Sequence, residues 1–240
     1  MKREVPRIAL ILAGGKGTRL RPLTYKIPKP LVPINGKPTI EHIINEIVRN
    51  GISDIVISIG YKAGMIIRYL DNAGIDAKIS YVVEKEPLGT GGGLKLALKE
   101  IRGRYEGDIF LTYGDAVFRF DIGKEYGFHK RKRALITMSL KRKKDVTGKG
   151  VAFLRGTRII KFIEKPYPGS AQSNLTNSGK YILNTKVLGL LPRKKRFSFE
   201  EDFLQSSAPR INLQGYLIQA RSFSIDTLEK LLRARKNWRA

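Results

Sequence analysis

The stretch Leu12–Thr24, LAGGKGTRLRPLT, sets three glycines, a lysine and two arginines directly behind the apolar run Ile8–Leu12. Glycine lets a backbone take conformations and close approaches that other residues cannot. Successive amides at such a turn form a concavity that attracts anions, and Lys and Arg add full charge. The loop therefore suits phosphate. A second chemical group, the carboxylate of Asp115, ends the apolar run in FLTYGDAVF. A carboxylate beside a phosphate loop is repelled unless a cation lies between them. Magnesium, held by one or two carboxylates plus substrate phosphates, removes that conflict.

The elements that must position these groups follow from periodicity. Arg7–Leu12, Asp54–Ile59, Lys78–Val83, Ile109–Thr112 and Leu135–Leu140 are apolar, β-branched runs that read as strands. Between them, Thr39–Asn50, Lys62–Leu70, Gly91–Ile101 and Ile122–Lys132 carry apolar residues at helical spacing. Such alternation predicts an α/β fold, a three-layer sandwich whose mixed central sheet is mostly parallel. Beyond Gly148 the rhythm changes to a hairpin about Arg155–Thr157. A strand at Lys180–Leu183, a helix from Glu200, a strand at Tyr216–Gln219 and a closing helix Thr227–Lys236 complete the reading. No linker or repeat divides the chain, so residues 1–240 read as one domain. In open α/β sheets ligands bind beyond the carboxyl ends of the strands, which is where the glycine loop and Asp115 both fall.

Composition narrows the chemistry. The 240 residues contain no cysteine, which excludes disulfides, thiolate metal sites and cysteine nucleophiles. His42 and His129 lie on predicted helices without a second ligand at metal spacing. No apolar stretch approaches the roughly 18 residues of a membrane span, and the short run after the basic start reads as a strand rather than a signal peptide. No membrane partner and a cytoplasmic location are expected. A net charge of +25 draws in nucleotides and sugar phosphates, and equally nucleic acid. The runs KRKR (130–133), KRKK (141–144) and RKKR (193–196) make a polyanion-binding protein the competing class. They lack the interleaved aromatics of a base-stacking platform, so nucleic acid is a secondary partner at most.

The loop fits neither standard nucleotide motif. GGKGTR lacks the spacing of G-x-x-x-x-G-K-[ST], and Leu20 occupies the third glycine position of G-x-G-x-x-G. The longer pattern G-G-x-G-T-R-L-x-P-L-T, followed by P-K-P-L-x-P at Pro28–Pro33, resembles the signature of the sugar-1-phosphate nucleotidyltransferases. The resemblance continues in order through EPLGTGGG (86–93), LTYGDAVF (111–118), FIEKP (162–166), NSGKYIL (177–183), FSFEEDFL (197–204) and SIDTLEKL (224–231). It covers nearly the whole chain, in the minimal catalytic form without an appended β-helix. One departure concerns the last motif, usually Asp-x-Gly-Thr: Asp226 runs directly into Thr227.

The resemblance implies a Rossmann-like nucleotide-diphospho-sugar transferase fold and the reaction of an NTP with a sugar 1-phosphate to give an NDP-sugar and pyrophosphate, with Mg2+. It assigns Leu12, Ala13, Gly14, Gly15, Gly17, Thr18, Thr90 and Gly91 to the nucleotide. Arg19 would neutralise the departing pyrophosphate, Lys29 the reacting phosphates, and Lys165 the phosphate of the sugar. Gly150, Glu164, Asn177 and Gly179 would meet sugar hydroxyls, and Asp115 with Asp226 would hold the metal. Asp226 also suits the N-cap of the last helix, and Asn177 a plain turn. The PLGTGGG segment is closer to guanylyl-, uridylyl- or glucose/mannose-type members than to the deoxythymidylyl subgroup with its Gln-containing segment. A hexose or heptose 1-phosphate is the expected acceptor, and a homo-oligomer is compatible with such domains. A noncatalytic nucleotide-sugar sensor on the same fold is the remaining alternative.

Overall fold

The computed structural model describes residues 4–167, 169–170, 172–219 and 221–239. β1 (Ile8–Ala13) leads through the glycine loop to a single helical turn, α1 (Leu23–Lys26), and a small ribbon of β2 (Pro33–Ile34) and β3 (Lys37–Pro38). Then α2 (Thr39–Arg49), β4 (Asp54–Ile59), α3 (Ala63–Asp71), β5 (Lys78–Val83), α4 (Gly89–Arg102) and β6 (Asp108–Tyr113) alternate. They are followed by β7 (Ala116–Arg119), α5 (Ile122–Arg131) and β8 (Ile136–Arg142). The rest of the chain forms β9 (Val151–Arg155), β10 (Arg158–Ile163), β11 (Leu175–Asn184), a π-helical turn Phe199–Leu204 running into α6 (Gln205–Ser207), β12 (Leu213–Leu217), β13 (Arg221–Ser224) and α7 (Leu228–Asn237).

Among the described residues, nine strands form one sheet in the order β5-β4-β1-β6-β11-β8-β12-β10-β9. β1 shows why. All six of its residues are buried, as expected for a parallel strand covered on both faces. Side chains alternate across a strand. Ile8, Leu10 and Leu12 enter a core with Leu94, Leu98 and Phe199, under α4 and the π-helical turn. Ala9, Ile11 and Ala13 enter the opposite core, with Ile40, Ile66 and Ile122 from α2, α3 and α5. Helices therefore cover both faces, and the three-layer expectation holds.

The expectation of a mostly parallel sheet does not. β5–β4, β4–β1, β1–β6 and β12–β8 are parallel, whereas β6–β11, β11–β8, β12–β10 and β10–β9 are antiparallel. Of these antiparallel pairs only β9–β10 is a direct hairpin. β11, which runs between β6 and β8, and β10, which runs beside β12, are inserted antiparallel to strands distant in the chain, a reversal that strand–helix alternation does not signal. The predicted strand Tyr216–Gln219 lies at Leu213–Leu217, with Gly215 inside it. Glycine usually interrupts a strand pattern, but here it receives Leu140, whose side chain would collide with a Cβ. The predicted helix from Glu200 begins as the π-helical turn Phe199–Leu204.

Sequence periodicity also misses the ribbon of β7 and β13, in which Ser224 pairs with Ala116. Four residues are too few for a pattern, and the partners are far apart in the chain. This ribbon places Asp115 and Asp226 at the same end, and the Ile225 amide donates to the Asp115 carbonyl at 3.0 Å. A third apolar cluster fastens it: Leu20, Val32 and Ile34 from the loop after β1 pack with Val117, Ile225, Leu231, Ala234 and Trp238. The Trp238 indole N–H donates to His42 Nδ1 at 3.3 Å, and Asn35 Nδ2 donates to the Trp238 carbonyl at 2.7 Å. Trp238→Ala should cost about 3–5 kcal/mol in denaturant unfolding. The exposed Leu232→Ala, on the same helix, should stay within about 0.5 kcal/mol.

Candidate active site

The glycine loop, the ends of β5 and β6, the start of α4, the turn before β9, the end of β10 and the middle of β11 surround one cleft of about 760 Å³. That volume suits a ligand of nucleotide size. Gly17 shapes its floor. Gly17 has φ of 63°, and the space its missing Cβ would fill lies 2.9 Å from Lys29 Cβ. Thr24 Oγ1 donates to the Gly17 carbonyl at 2.9 Å, closing the loop on itself. The stem of Lys29 thus lies against the phosphate loop.

The ammonium of Lys29 sits between two carboxylates, 2.8 Å from Asp115 Oδ2 and 2.9 Å from Asp226 Oδ1. Its side chain is only 13% exposed, against 36% for Asp115 and 17% for Asp226. Burial alone would push the Lys29 amine down, but Asp115 and Asp226 outweigh it and hold it above its ordinary value. Burial likewise works against the Asp226 carboxylate, yet Lys29 and Lys230 hold its pKa well below the usual range. Lys230 Nζ is 3.1 Å from Asp226 Oδ2 and Arg19 Nη2 is 3.8 Å from Oδ1. Asp226 does not cap the last helix: Thr227 does, its hydroxyl accepting from the Lys230 amide. The missing glycine leaves the Asp226 carboxylate facing Asp115. Two carboxylate oxygens converging on one point, with no softer donor, form the hard donor set that magnesium takes alongside phosphate oxygens. The residues fit that ion.

At the far end, Glu164 and Lys165 close β10, with Lys165 Nζ 3.5 Å from Glu164 Oε1. Lys165 has φ of 49°, a left-handed conformation unusual for a side-chain-bearing residue and characteristic of functional turns. Burial and the neighbouring Glu200 push the Glu164 carboxyl up, Lys165 opposing them. Asn177 is more than a turn former: Nδ2 donates to Tyr181 Oη at 2.6 Å while Oδ1 accepts from the Gly179 amide at 2.9 Å. The Asn177 amide donates to the Gly150 carbonyl, bringing the turn before β9 to the same wall.

Every residue singled out from the sequence lines this cleft except Gly91. Gly91 is buried behind the wall, where the Phe197 ring occupies the space a Cβ would need, and its amide donates to the Phe197 carbonyl. Thr90 lines the cleft but spends its hydroxyl on structure, donating to Glu200 Oε2 and accepting from the Phe199 amide, both at 2.9 Å. Among the lining residues that sequence reasoning does not single out are Glu200, Tyr113, Lys230 and Glu84. Glu200 accepts from Tyr113, Tyr181 and Thr90, which makes it the junction of this wall of the cleft. Tyr113 precedes the Gly-Asp pair. Lys230 lies four residues after Asp226, one helical turn away, a spacing that signals the contact.

Glu84, the fourth, follows β5. Its carboxylate accepts from Ser58 Oγ at 2.9 Å and from the Leu88 amide at 3.4 Å, and has no cation partner among the described residues. Burial pushes its carboxyl up, and these two donors only partly oppose the shift. Gly14 and Gly93 leave it room: a Cβ on either would come within 2.4 Å and 2.7 Å of Oε1. Members of the basic runs, meanwhile, find local carboxylates, Lys130 with Glu4 at 2.6 Å and Lys194 with Asp202 at 2.7 Å.

The Nucleotidyl transferase profile matches residues 8–238. This chain belongs to that family. Among nucleotidyl transferases, a D-glycero-alpha-D-manno-heptose 1-phosphate guanylyltransferase of Aneurinibacillus thermoaerophilus is 34% identical over 228 residues, 95% of this chain and 96% of that protein. The enzyme of the same name from Campylobacter jejuni is 34% identical over 208 residues, covering 86% and 89%. The crystal structure of HddC from Yersinia pseudotuberculosis, complexed with GMP-PN, superposes with a TM-score of 0.80 at 29% identity, covering 97% of this chain and 100% of that one. No helix among the described residues is long and apolar enough to cross a membrane.

The depressed Asp226 has a consequence for this nucleotidyl transferase in acid. Its unfolded carboxyl titrates near 3.8 and its folded one lower, so its stabilisation is complete above that value and is lost as pH falls below it. In denaturant melts from pH 6 to about pH 2, Asp226→Asn should be less stable than wild type at the upper end, and the difference should shrink toward the lower.

Proposed function

We propose that this protein transfers a guanylyl group from GTP to a hexose or heptose 1-phosphate, releasing pyrophosphate and forming a GDP-sugar. The convergence of Lys29, Asp115 and Asp226 beside the glycine loop carries the reading. An oxygen of the sugar phosphate attacks the α-phosphorus of GTP as the bond from that phosphorus to the β-bridging oxygen breaks. No general base is required, because the second pKa of a phosphate monoester is about 6 and the nucleophile is ionised at neutral pH. Catalysis then consists of positioning and charge stabilisation, which explains a cleft without cysteine or histidine.

In this reading the amides of Leu12–Thr18 receive the nucleotide and Arg19 neutralises the departing β- and γ-phosphates. Lys29 follows the charge developing at the α-phosphate, and Lys165 holds the phosphate of the sugar. Glu164, Asn177 and the backbone at Gly150 and Gly179 orient its hydroxyls. Asp115 and Asp226 would hold magnesium, which when bound offsets the negative charge of the reacting phosphates.

The base is chosen at Glu84. A carboxylate only accepts hydrogen bonds. Guanine presents two adjacent donors, N1–H and the 2-amino group, to a pair of carboxylate oxygens. Uracil and thymine offer one donor flanked by two carbonyl oxygens, which the carboxylate repels. The guanylyltransferase names of the relatives agree with this choice.

Pyrophosphate release, measured for four NTPs against mannose, glucose and D-glycero-α-D-manno-heptose 1-phosphates with magnesium, tests the reading. The largest kcat/KM should fall on GTP; a larger value for UTP or dTTP would remove guanine from the proposal. Lys29→Ala and Asp115→Ala should each lower kcat by about 10²–10³-fold or more with the fold intact by circular dichroism. Glu84→Gln should raise the KM for GTP about tenfold or more and leave that for UTP unchanged or lower.

A further inference from the structure

We infer that Lys29 holds the metal position as an internal counter-ion, so that a divalent cation enters with the nucleotide and not before it. The inference rests on the reading of Asp115 and Asp226 as the metal carboxylates. Lys29 Nζ lies 2.8 Å and 2.9 Å from one oxygen of each. An ion held by those same two oxygens would compete for the place that Nζ fills, and magnesium needs its ligands closer still, at about 2.0–2.1 Å. An ammonium and a divalent cation cannot share it. Metal entry therefore requires Nζ to leave, and leaving a half-buried carboxylate pair is costly unless the ammonium finds another anion.

The fold restricts where it can go. Lys29 opens the short 3-10 turn Lys29–Leu31, whose backbone is fixed by the Leu31 amide bonding to Pro28 and the Val32 amide to Lys29. Its Cβ and Cδ lie 2.9 Å and 3.5 Å from the Cβ position of Gly17. Only the end of the side chain is free to swing, and it pivots beside the glycine loop. Phosphates resting on that loop are the anions within its reach. Arg19 and Lys230 keep positive charge around Asp226, at 3.8 Å and 3.1 Å, and further disfavour a cation arriving without phosphates. The nucleotide thus both frees the site and supplies the remaining metal ligands.

Manganese titration of the nucleotide-free protein, read from the EPR signal of unbound Mn2+, tests this without turnover. Lys29→Met should bind Mn2+ at least about tenfold more tightly than wild type, because the two carboxylates are released together. Arg19→Met removes the same charge without bridging and should gain less than about threefold. Adding Asp115→Asn to Lys29→Met should abolish the gain. Equal affinity of wild type and Lys29→Met, or an equal gain in Arg19→Met, overturns the inference. Lys29→Gln, with thermal melts of each variant, guards against a fold defect.

Wild type provides an independent arm. In 15N-lysine-labelled protein the hydrogen-bonded ammonium resonance of Lys29 should survive millimolar magnesium and shift only when GTP is added with it. Its loss in magnesium alone overturns the inference as well. Absence of pyrophosphate release with the manganese gain intact would instead remove the transferase reading and leave this one standing.

Discussion

The structure turns on one ammonium group between two carboxylates. Lys29 reaches Asp115 across 86 residues of chain and Asp226 across 197. Without it, two negative charges would face each other in a half-buried cleft. At about 4 Å and an effective dielectric of about 20, such a pair repels by about 4 kcal/mol. The lysine turns that repulsion into cohesion between the loop after β1, the end of β6 and the entry to α7. In the proposed reaction these same three side chains serve the phosphate chemistry, so one set of charges would both stabilise the cleft and act on the substrates.

Holding three charged groups to within a few tenths of an ångström requires rigid support, and each has a separate source. Asp115 follows β6, an interior strand of the large sheet flanked by β1 and β11. Asp226 follows β13, which pairs with β7 rather than with that sheet. Lys29 stands on a short 3-10 turn pinned by Leu20, Val32 and Ile34 against the cluster that ends in Trp238. The third apolar cluster is therefore the clamp of the site. The site thereby depends on α7, whose inner face must stay packed for Asp226 to stay in place.

The two ends of the cleft are built on opposite principles. Around the glycine loop, backbone amides gather with the cations Arg19, Lys29 and Lys230. At the end closed by β10, Glu164, Glu200, Tyr113 and Asn177 form a network of acceptors and hydroxyls, wired through Tyr181 and Thr90. Glu84, which the proposed reading sets at the base, has no cation partner among the described residues. A substrate that is anionic in the middle and rich in neutral donors at both ends matches this distribution, and a nucleotide joined to a sugar phosphate is such a molecule.

Much of this was legible in one dimension, because it depends on local chemistry. Gly17 signals a positive φ, the all-apolar Ile8–Leu12 signals a strand buried on both faces, and the order of short motifs from Gly14 to Asp226 carries the family. Those motifs marked sixteen positions that line the cleft and one, Gly91, that lies behind its wall. What one dimension could not carry is any relation set by packing between distant segments. The antiparallel half of the sheet, the β7–β13 ribbon, Glu84 turned toward Gly14, and Thr90 consumed by Glu200 leave no periodic trace. Most of all, the sequence determined that Lys29, Asp115 and Asp226 are present and charged. Only the tertiary structure decided that they meet, because a contact across 197 residues is specified by the sum of the surfaces that bury it and by no residue pattern of its own.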